Sequence, residues 1–211
     1  MEIYKFRKLT SETDYCRLRN ILETGYFWCS SFWKLNDPME GVFMITNPDN
    51  LKRIFEEKEK YKICSFSGED GFKNPAMWGY YTDGFKGVAI KVEINDNEIE
   101  EVHYENKLPI DNDDMRKILT NKLKKWKPEN EFRFLINSEN NYQKIGKITA
   151  VYFGDPYGNA ENKKIFEGKI ENFTQYTENR EKIKKSTDGE GIICHDVEIK
   201  NGEVIKSDKN L

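Results

Sequence analysis

The sequence has little of what several common classes of protein require. Its 211 residues include two histidines and four widely separated cysteines, without a CxxC pair. Structural zinc sites need closely spaced cysteine or histidine ligands, so no metal site of this kind is expected. Without a disulfide framework, the cysteines are expected to be buried free thiols. They are Cys16, Cys29, Cys64 and Cys194.

Long apolar runs and an excess of one charge are also absent. No 18 apolar residues run together, and the N-terminal MEIYKFRKLT lacks the apolar segment of a signal peptide. We therefore expect no membrane partner and a cytoplasmic location. The 34 basic and 37 acidic residues are mixed and leave a net charge of −3, so strong general affinity for nucleic acid is not expected. The clearest local basic cluster is KLKKWK at 122–127.

The sequence is rich in aromatic residues and in alternating apolar patterns. Phe, Tyr and Trp number 13, 11 and 4, enough to build a core at 37% hydrophobic content. The pattern predicts helices over 15–22, 51–60 and 115–126, and a pair of strands at 87–94 and 100–105. Further strands are predicted at 61–67, 131–136 and 148–154. Asn201-Gly202 predicts a C-terminal hairpin within 191–206.

These elements alternate without a linker or a repeat. They predict a single α+β domain over 1–211, with a mixed, mostly antiparallel sheet and flanking helices.

The stretch WKPENEFRFLI at 126–136 carries polar residues between apolar ones. In a strand, its apolar residues point to one face, whereas Glu131 and Arg133 point to the other, with Glu129 if the strand begins early. The apolar face is expected to be the core face. The polar face is then either solvated, with a weak Glu131–Arg133 surface pair, or part of a site.

Two other stretches could contribute to a site. Ser65 and Ser67 share one face of the strand YKICSFS, either as exposed positions or as hydrogen-bonding groups. Trp78 and Tyr80 face different ways on the short helix PAMWGYY, so either core packing or stacking on a flat ligand is open to them.

The motif NDPMEG at 36–41 lies between apolar stretches. Pro38 fixes its own φ, and the Asn36 side chain can bond the backbone two residues on, so a turn explains both residues. A turn does not require Asp37 or Glu40. These two carboxylates are candidates for the rim of a cleft, together with Asn36.

Several of these stretches together resemble a large, mostly bacterial family catalogued as domain of unknown function 2971. The resemblance covers about residues 4–154. The matching stretches are YKFR (4–7), LNDPME (35–40), CSFS (64–67), MWGYY (77–81) with KGVAI (86–90), and WKPENEFRF (126–134). The chain departs from the family at Leu35, where an aromatic is usual, and at 79–81, where the family has a Ser-His-Tyr-like run. A histidine base is therefore not implied.

A looser resemblance is to one branch of the ADP-ribosyltransferases. That branch has an arginine on its first strand, a Ser-x-Ser strand in mid-chain and a late Glu-x-Glu strand. Here Arg7, Ser65-Phe66-Ser67 and Glu129-Asn130-Glu131 occur in that order. The resemblance implies an ADP-ribosyltransferase-like fold and an enzyme that consumes NAD. Such an enzyme needs neither a metal nor a glycine-rich phosphate loop.

The resemblance also implies a role for each residue. Glu131 would stabilise the oxocarbenium-like ribose that forms as nicotinamide leaves, and Glu129 would orient the acceptor. Arg7 would bind the pyrophosphate as a bidentate donor. The serines would brace Glu131 or the ribose, and one aromatic would stack on nicotinamide. The candidates for these last contacts are Ser65, Ser67, Trp78 and Tyr80.

The sequence therefore predicts an NAD-consuming ADP-ribosyltransferase-like enzyme, a toxin or anti-phage defence effector with an unknown macromolecular acceptor. One alternative is a magnesium-dependent nuclease, whose metal would be bound by Asp37, Glu40, Glu129 and Glu131 while KLKKWK contacts phosphates. Another is a non-catalytic binding or regulatory module, in which the polar motifs are turns and ladders.

Overall fold

A computed structural model of the chain describes residues 1–35, 49–106, 114–156, 169 and 172–207. These ranges contain twelve strands, six α-helices and three short 3-10 helices. The strands are β1 (Glu2–Lys8), β2 (Tyr26–Trp28), β3 (Tyr61–Ser67), β4 (Gly87–Glu93), β5 (Glu100–Glu101), β6 (His103–Glu105), β7 (Asn121–Leu123), β8 (Glu131–Asn137), β9 (Tyr142–Lys144), β10 (Lys147–Phe153), β11 (Ile193–Lys200) and β12 (Glu203–Lys206). The α-helices are α1 (Glu12–Thr24), α2 (Asp49–Glu59), α3 (Glu69–Lys73), α4 (Pro75–Tyr81), α5 (Met115–Leu119) and α6 (Phe173–Thr187). The 3-10 helices are Phe32–Lys34, Asp96–Glu98 and Lys124–Glu129.

Eight strands form one sheet in the order β12-β11-β10-β4-β1-β3-β8-β5. Its pairs are antiparallel except for β10 and β11, which run parallel. Two small sheets, β2–β9 and β6–β7, flank it. The predicted α+β class with a mixed, mostly antiparallel sheet is confirmed.

Helices cover both faces of this sheet. On one face, α1 and α6 pack on apolar residues of the central strands, as Leu18 and Ile183 do against Ile3 and Ile90. On the other face, α3 and α4 bring Phe72, Met77 and Trp78 against Tyr4, Phe6 and Tyr152. Burial of both faces means that a polar residue in the middle of this sheet is also enclosed.

Local signals fix the ends of α1. The Ser11 hydroxyl accepts a hydrogen bond from the Asp14 backbone N–H at 3.1 Å, which satisfies one of the free donors of the first turn. Gly25 ends the helix with φ of 71°, a left-handed conformation that costs glycine little.

Two predictions about elements were wrong, and one of the two interpretations of the polar face of β8 is excluded. The helix predicted over 115–126 ends at Leu119, whose carbonyl accepts from the Arg133 side chain, and the chain continues as β7 and a 3-10 helix. The strands predicted at 87–94 and 100–105 do not pair with each other, because β4 lies between β1 and β10. The polar face of β8 is not solvated but buried, since Lys122 and Leu119 lie over it.

Candidate active site

The two central strands β1 and β3 part from each other. β1 pairs with β4 over its whole length, from Glu2 to Lys8, but with β3 only at Tyr4 and Ser67. At its other end, β3 pairs instead with Ser30, which forms an isolated bridge with Ile63. The edge of β3 between these two points faces a gap in the sheet.

A cavity of about 310 Å³ lies at this gap. Pockets that bind small molecules begin at about this size. The lining comes from β1, β3, α4, the start of β8 and the segments around residues 28–35 and 122–129. The lining residues are Tyr4, Lys5, Phe6, Arg7, Trp28, Ser30, Lys34, Leu35, Ile63, Ser65, Phe66, Ser67, Met77, Tyr81, Lys122, Trp126, Glu129 and Glu131.

Two buried glutamates share one ammonium group at this cavity. Lys122 Nζ donates to Glu129 Oε2 at 2.6 Å and to Glu131 Oε2 at 3.0 Å. Glu129 lies not in the strand, as one reading of the sequence allowed, but at the end of a 3-10 helix. Asn130, with φ of 45°, turns the chain between the two carboxylates.

The carboxylate of Glu131 is held on several sides. Arg133, with 0% of its surface exposed, donates from Nε to Oε1 at 2.8 Å and from Nη2 to Oε2 at 3.1 Å. The Ser65 side chain lies nearby and also lowers the pKa of Glu131. Burial alone would raise the pKa of Glu131, but Arg133, Lys122 and Ser65 outweigh it and lower the pKa to about 2. Glu131 is therefore an anion at every physiological pH.

Glu129 is less enclosed by donors. Its Oε1 accepts from the Tyr81 hydroxyl at 2.6 Å, and its Oε2 accepts from Lys122. A carboxylate offers about four acceptor positions, so Glu129 keeps more capacity for a ligand hydroxyl than Glu131 does.

The opposite wall of the cavity is cationic. Lys5 Nζ donates to the Ser65 carbonyl at 2.5 Å and lies 5.4 Å from the Phe66 ring centroid. Arg7 Nε is buried and has no hydrogen-bond partner among the residues that the structure describes. Within the described part of the chain, neither residue forms an ion pair. Burial lowers the pKa of both groups, the direction expected when a cation loses water without gaining a carboxylate.

The structure places the predicted aromatic residues away from the cavity. Trp78 is 0% exposed and donates from Nε1 to the Phe72 carbonyl at 2.7 Å, so it belongs to the core. Tyr80 is 83% exposed and points to solvent. The next residue, Tyr81, lines the cavity instead, as do Trp28 and Trp126.

Five of the predicted site residues line this same cavity, and Arg133 lies behind it, bonded to Glu131. The five are Arg7, Ser65, Ser67, Glu129 and Glu131. The rim candidates Asn36, Asp37 and Glu40 lie outside the described residues. Leu35, immediately before them, lines the cavity.

Sequence reasoning missed Lys5, Lys122 and Tyr81. Lys5 could have been found from the alternation of YKFRK, which puts Lys5 and Arg7 on one face of β1. Lys122 had no such signal, because its segment was predicted to be a helix. Its contacts with Glu129 and Glu131 depend on where the chain turns at Asn130.

Fold and site together define an α+β protein with a cavity that has an anionic wall and a cationic wall. No family model, curated protein or solved structure matches the chain. The resemblances drawn from the motifs therefore stay predictions.

Over the described ranges, no helix is long and apolar enough to cross a membrane. Among the same residues, no three His, Cys, Asp or Glu side chains form a metal-binding group.

Proposed function

We propose that this protein is an NAD-consuming enzyme of the ADP-ribosyltransferase type, acting as a toxin or defence effector. The observation that carries the proposal is that Arg7, Ser65 and Glu131, from three strands, line one cavity. These strands are far apart in sequence and meet only through the sheet order β1-β3-β8.

The charges of the cavity match those of oxidised NAD. The nicotinamide riboside end of NAD is cationic, and Glu129 and Glu131 supply negative charge on one wall. The pyrophosphate is anionic, and on the other wall Lys5 and Arg7, which form no ion pair with any described residue, supply positive charge. Arginine is well suited to this contact because its guanidinium can donate two hydrogen bonds to a phosphate.

The proposed reaction breaks the bond between ribose C1 and the nicotinamide nitrogen. The bonding electrons leave with nicotinamide, which becomes neutral, and positive charge develops on the ribose. Glu131 stabilises that charge as a fixed anion in a buried site. A nucleophile of the acceptor then bonds to C1 and loses its proton, and Glu129 orients this nucleophile.

Glu131 already accepts three hydrogen bonds from Arg133 and Lys122. A ribose hydroxyl would therefore approach from the side of Ser65, whose uncharged hydroxyl is a weaker donor than Arg133 or Lys122. Tyr81 and Trp126 line the cavity, and in this proposal they, rather than Trp78 and Tyr80, would supply the aromatic contact to nicotinamide.

The test is to incubate the protein with NAD and measure free nicotinamide, with candidate acceptors present. Wild type is expected to release nicotinamide, and Glu131→Gln to reduce the rate at least 100-fold, on the scale of a lost electrostatic contact in a transition state. Glu101→Gln is the matched control, because Glu101 is exposed on β5 beside the same strand. Circular dichroism checks that each variant is folded. Release by wild type no faster than by Glu131→Gln refutes the proposal.

The magnesium-dependent nuclease is less well supported. Lys122 occupies the position between Glu129 and Glu131 that a divalent cation would take. The same contacts turn Lys122 inward, away from the basic cluster that was expected to bind phosphates. A rise in melting temperature at millimolar Mg²⁺ would favour this alternative.

A further inference from the structure

Two buried cysteines lie opposite each other behind the cavity. Ser30 and Ile63 form an antiparallel bridge and exchange both backbone hydrogen bonds, each at 2.8 Å. Extended by one residue, this register sets Cys29 opposite Cys64. In an antiparallel pair this is the non-hydrogen-bonded position, where Cα atoms are about 4.5 Å apart. Disulfides join Cα atoms about 4.4–6.8 Å apart, so the backbone already brings these cysteines within reach of each other.

The two side chains are reduced, and they lie close enough for each thiol to shift the pKa of the other. Both cysteines are free, and both are buried in the core of the sheet. No large movement of the chain is needed to bring the sulfur atoms together.

The surroundings favour a thiolate at Cys64 rather than at Cys29. The Cys29 thiol, the Lys5 ammonium and the Arg7 guanidinium lie close to Cys64, and together they lower its pKa despite its burial. The pKa of Cys29 is raised by the neighbouring Cys64 thiol and by burial. Electropositive surroundings of this kind make a cysteine nucleophilic.

A small oxidant can approach Cys64 from the cavity. The residues on either side of it, Ile63 and Ser65, line the cavity, and so do Lys5 and Arg7, whose charges lower the pKa of Cys64. The oxidant would reach the Cys64 sulfur past these neighbours.

We propose that Cys29 and Cys64 form a redox modification site, which hydrogen peroxide converts into a reversible disulfide. The Cys64 thiolate attacks one peroxide oxygen, the O–O bond breaks, and Cys64 becomes a sulfenic acid while hydroxide leaves. The Cys29 sulfur then attacks the Cys64 sulfur, the S–S bond forms, the S–O bond breaks, and the departing hydroxide takes the Cys29 proton as water. Two electrons pass from the thiol pair to the peroxide.

This modification would change the charge at the cavity. The disulfide removes the negative thiolate beside Lys5 and Arg7, so both cations become more available to an anionic ligand. The redox state of the two cysteines would thereby control how strongly the cationic wall binds an anion, whatever reaction takes place in the cavity.

The experiment treats the wild-type protein with hydrogen peroxide, alkylates the remaining thiols, and maps peptides without a reductant. The expected result is one cross-linked species, the Cys29 peptide joined to the Cys64 peptide, that disappears on treatment with dithiothreitol. A variant with Cys16→Ser and Cys194→Ser should give the same cross-link. Its two cysteines are the controls, since Cys16 is exposed and Cys194 contacts Thr187 at 3.1 Å rather than another thiol.

A second measurement identifies the attacking sulfur. In Cys29→Ser, which removes the resolving thiol, dimedone should label Cys64 as a sulfenic acid after peroxide treatment. The proposal is overturned if wild type yields no Cys29–Cys64 cross-link while Cys16 or Cys194 is oxidised. Because that result needs only wild-type protein, it does not depend on how well the variant folds.

Discussion

Arg133 binds Glu131 through two hydrogen bonds, from Nε to Oε1 at 2.8 Å and from Nη2 to Oε2 at 3.1 Å. The pair lies on one face of β8 under the cavity, where both side chains are buried. A charge pair in such a position is costly to break, because the remaining partner is left buried without compensation.

Replacement of Glu131 by Gln should therefore lower stability in a pH-dependent way. The folded-state pKa of about 2 lies below the ordinary 4.5, so the carboxylate contributes stability above about pH 4.5 that is lost as the pH falls towards 2. The shift corresponds to about 3 kcal/mol at pH 7. Urea unfolding of wild type and Glu131→Gln should show a gap of this size at pH 7 and a smaller gap at pH 3. An equal gap at both pH values would contradict the prediction.

Lys122→Met tests the ammonium shared by the two glutamates. Loss of this group leaves Glu129 and Glu131 close together without their common cation, and we expect a cost of about 3–5 kcal/mol in the free energy of unfolding. Lys124→Met is the control, because Lys124 is exposed two residues on and should change stability by no more than about 0.5 kcal/mol. Chemical denaturation compares the two. Similar costs for both variants would mean that the shared ammonium does not stabilise the protein.

Two glycines make a matched pair for testing the packing under Glu129. A Cβ added at Gly71 would lie 2.5 Å from the Glu129 carbonyl oxygen and 2.8 Å from the Ser67 Cβ, whereas one at Gly79 would meet nothing within 4 Å. Gly71→Ala should cost about 1–3 kcal/mol as α3 is pushed away. Gly79→Ala, in the middle of α4, should gain about 0.5–1 kcal/mol. Thermal unfolding distinguishes the two, and a stabilising Gly71→Ala would be the contrary outcome.

Arg7 should bind phosphate-containing anions whether or not the protein acts on NAD. Sodium pyrophosphate is expected to raise the melting temperature of wild type, since a ligand at 100 times its Kd stabilises by about 2.7 kcal/mol. Arg7→Met should abolish this shift while itself costing little, because Arg7 Nε makes no hydrogen bond to any described residue. Lys8→Met, at an exposed position of β1, should keep the shift. Equal shifts in Arg7→Met and Lys8→Met would rule out Arg7 as the binding group.

Much of the fold could be predicted because its signals are local. The alternation of YKICSFS predicted a strand over 61–67, and β3 has those bounds. Ser11 and Gly25 mark the ends of α1 through their own hydrogen bonding and backbone freedom. Asn201 and Gly202, both at positive φ, form the turn between β11 and β12.

The site could be predicted only in part, because burial depends on partners distant in sequence. Alternation put Glu131 and Arg133 on one face of a strand, but polar residues in that pattern are typical of a solvated face. What encloses them is Lys122, nine residues before Glu131, and its inward direction follows from tertiary packing. Helical spacing identified the aromatic residues of α4 but not which of them face the core. The hydrogen bond from Trp78 to the Phe72 carbonyl fixes how the helix is rotated about its axis.

Because β1 and β3 pair at one position, the boundary between them is a seam where the large sheet is weakly joined. Five strands, β12 to β1, stand on one side of this seam and three, β3, β8 and β5, on the other. The cations Lys5 and Arg7 belong to the first group, and Glu131 belongs to the second. A ligand that contacts both walls would therefore fasten the two half-sheets together. Its binding would appear as slower hydrogen exchange of the amides that border the seam, before any product is formed.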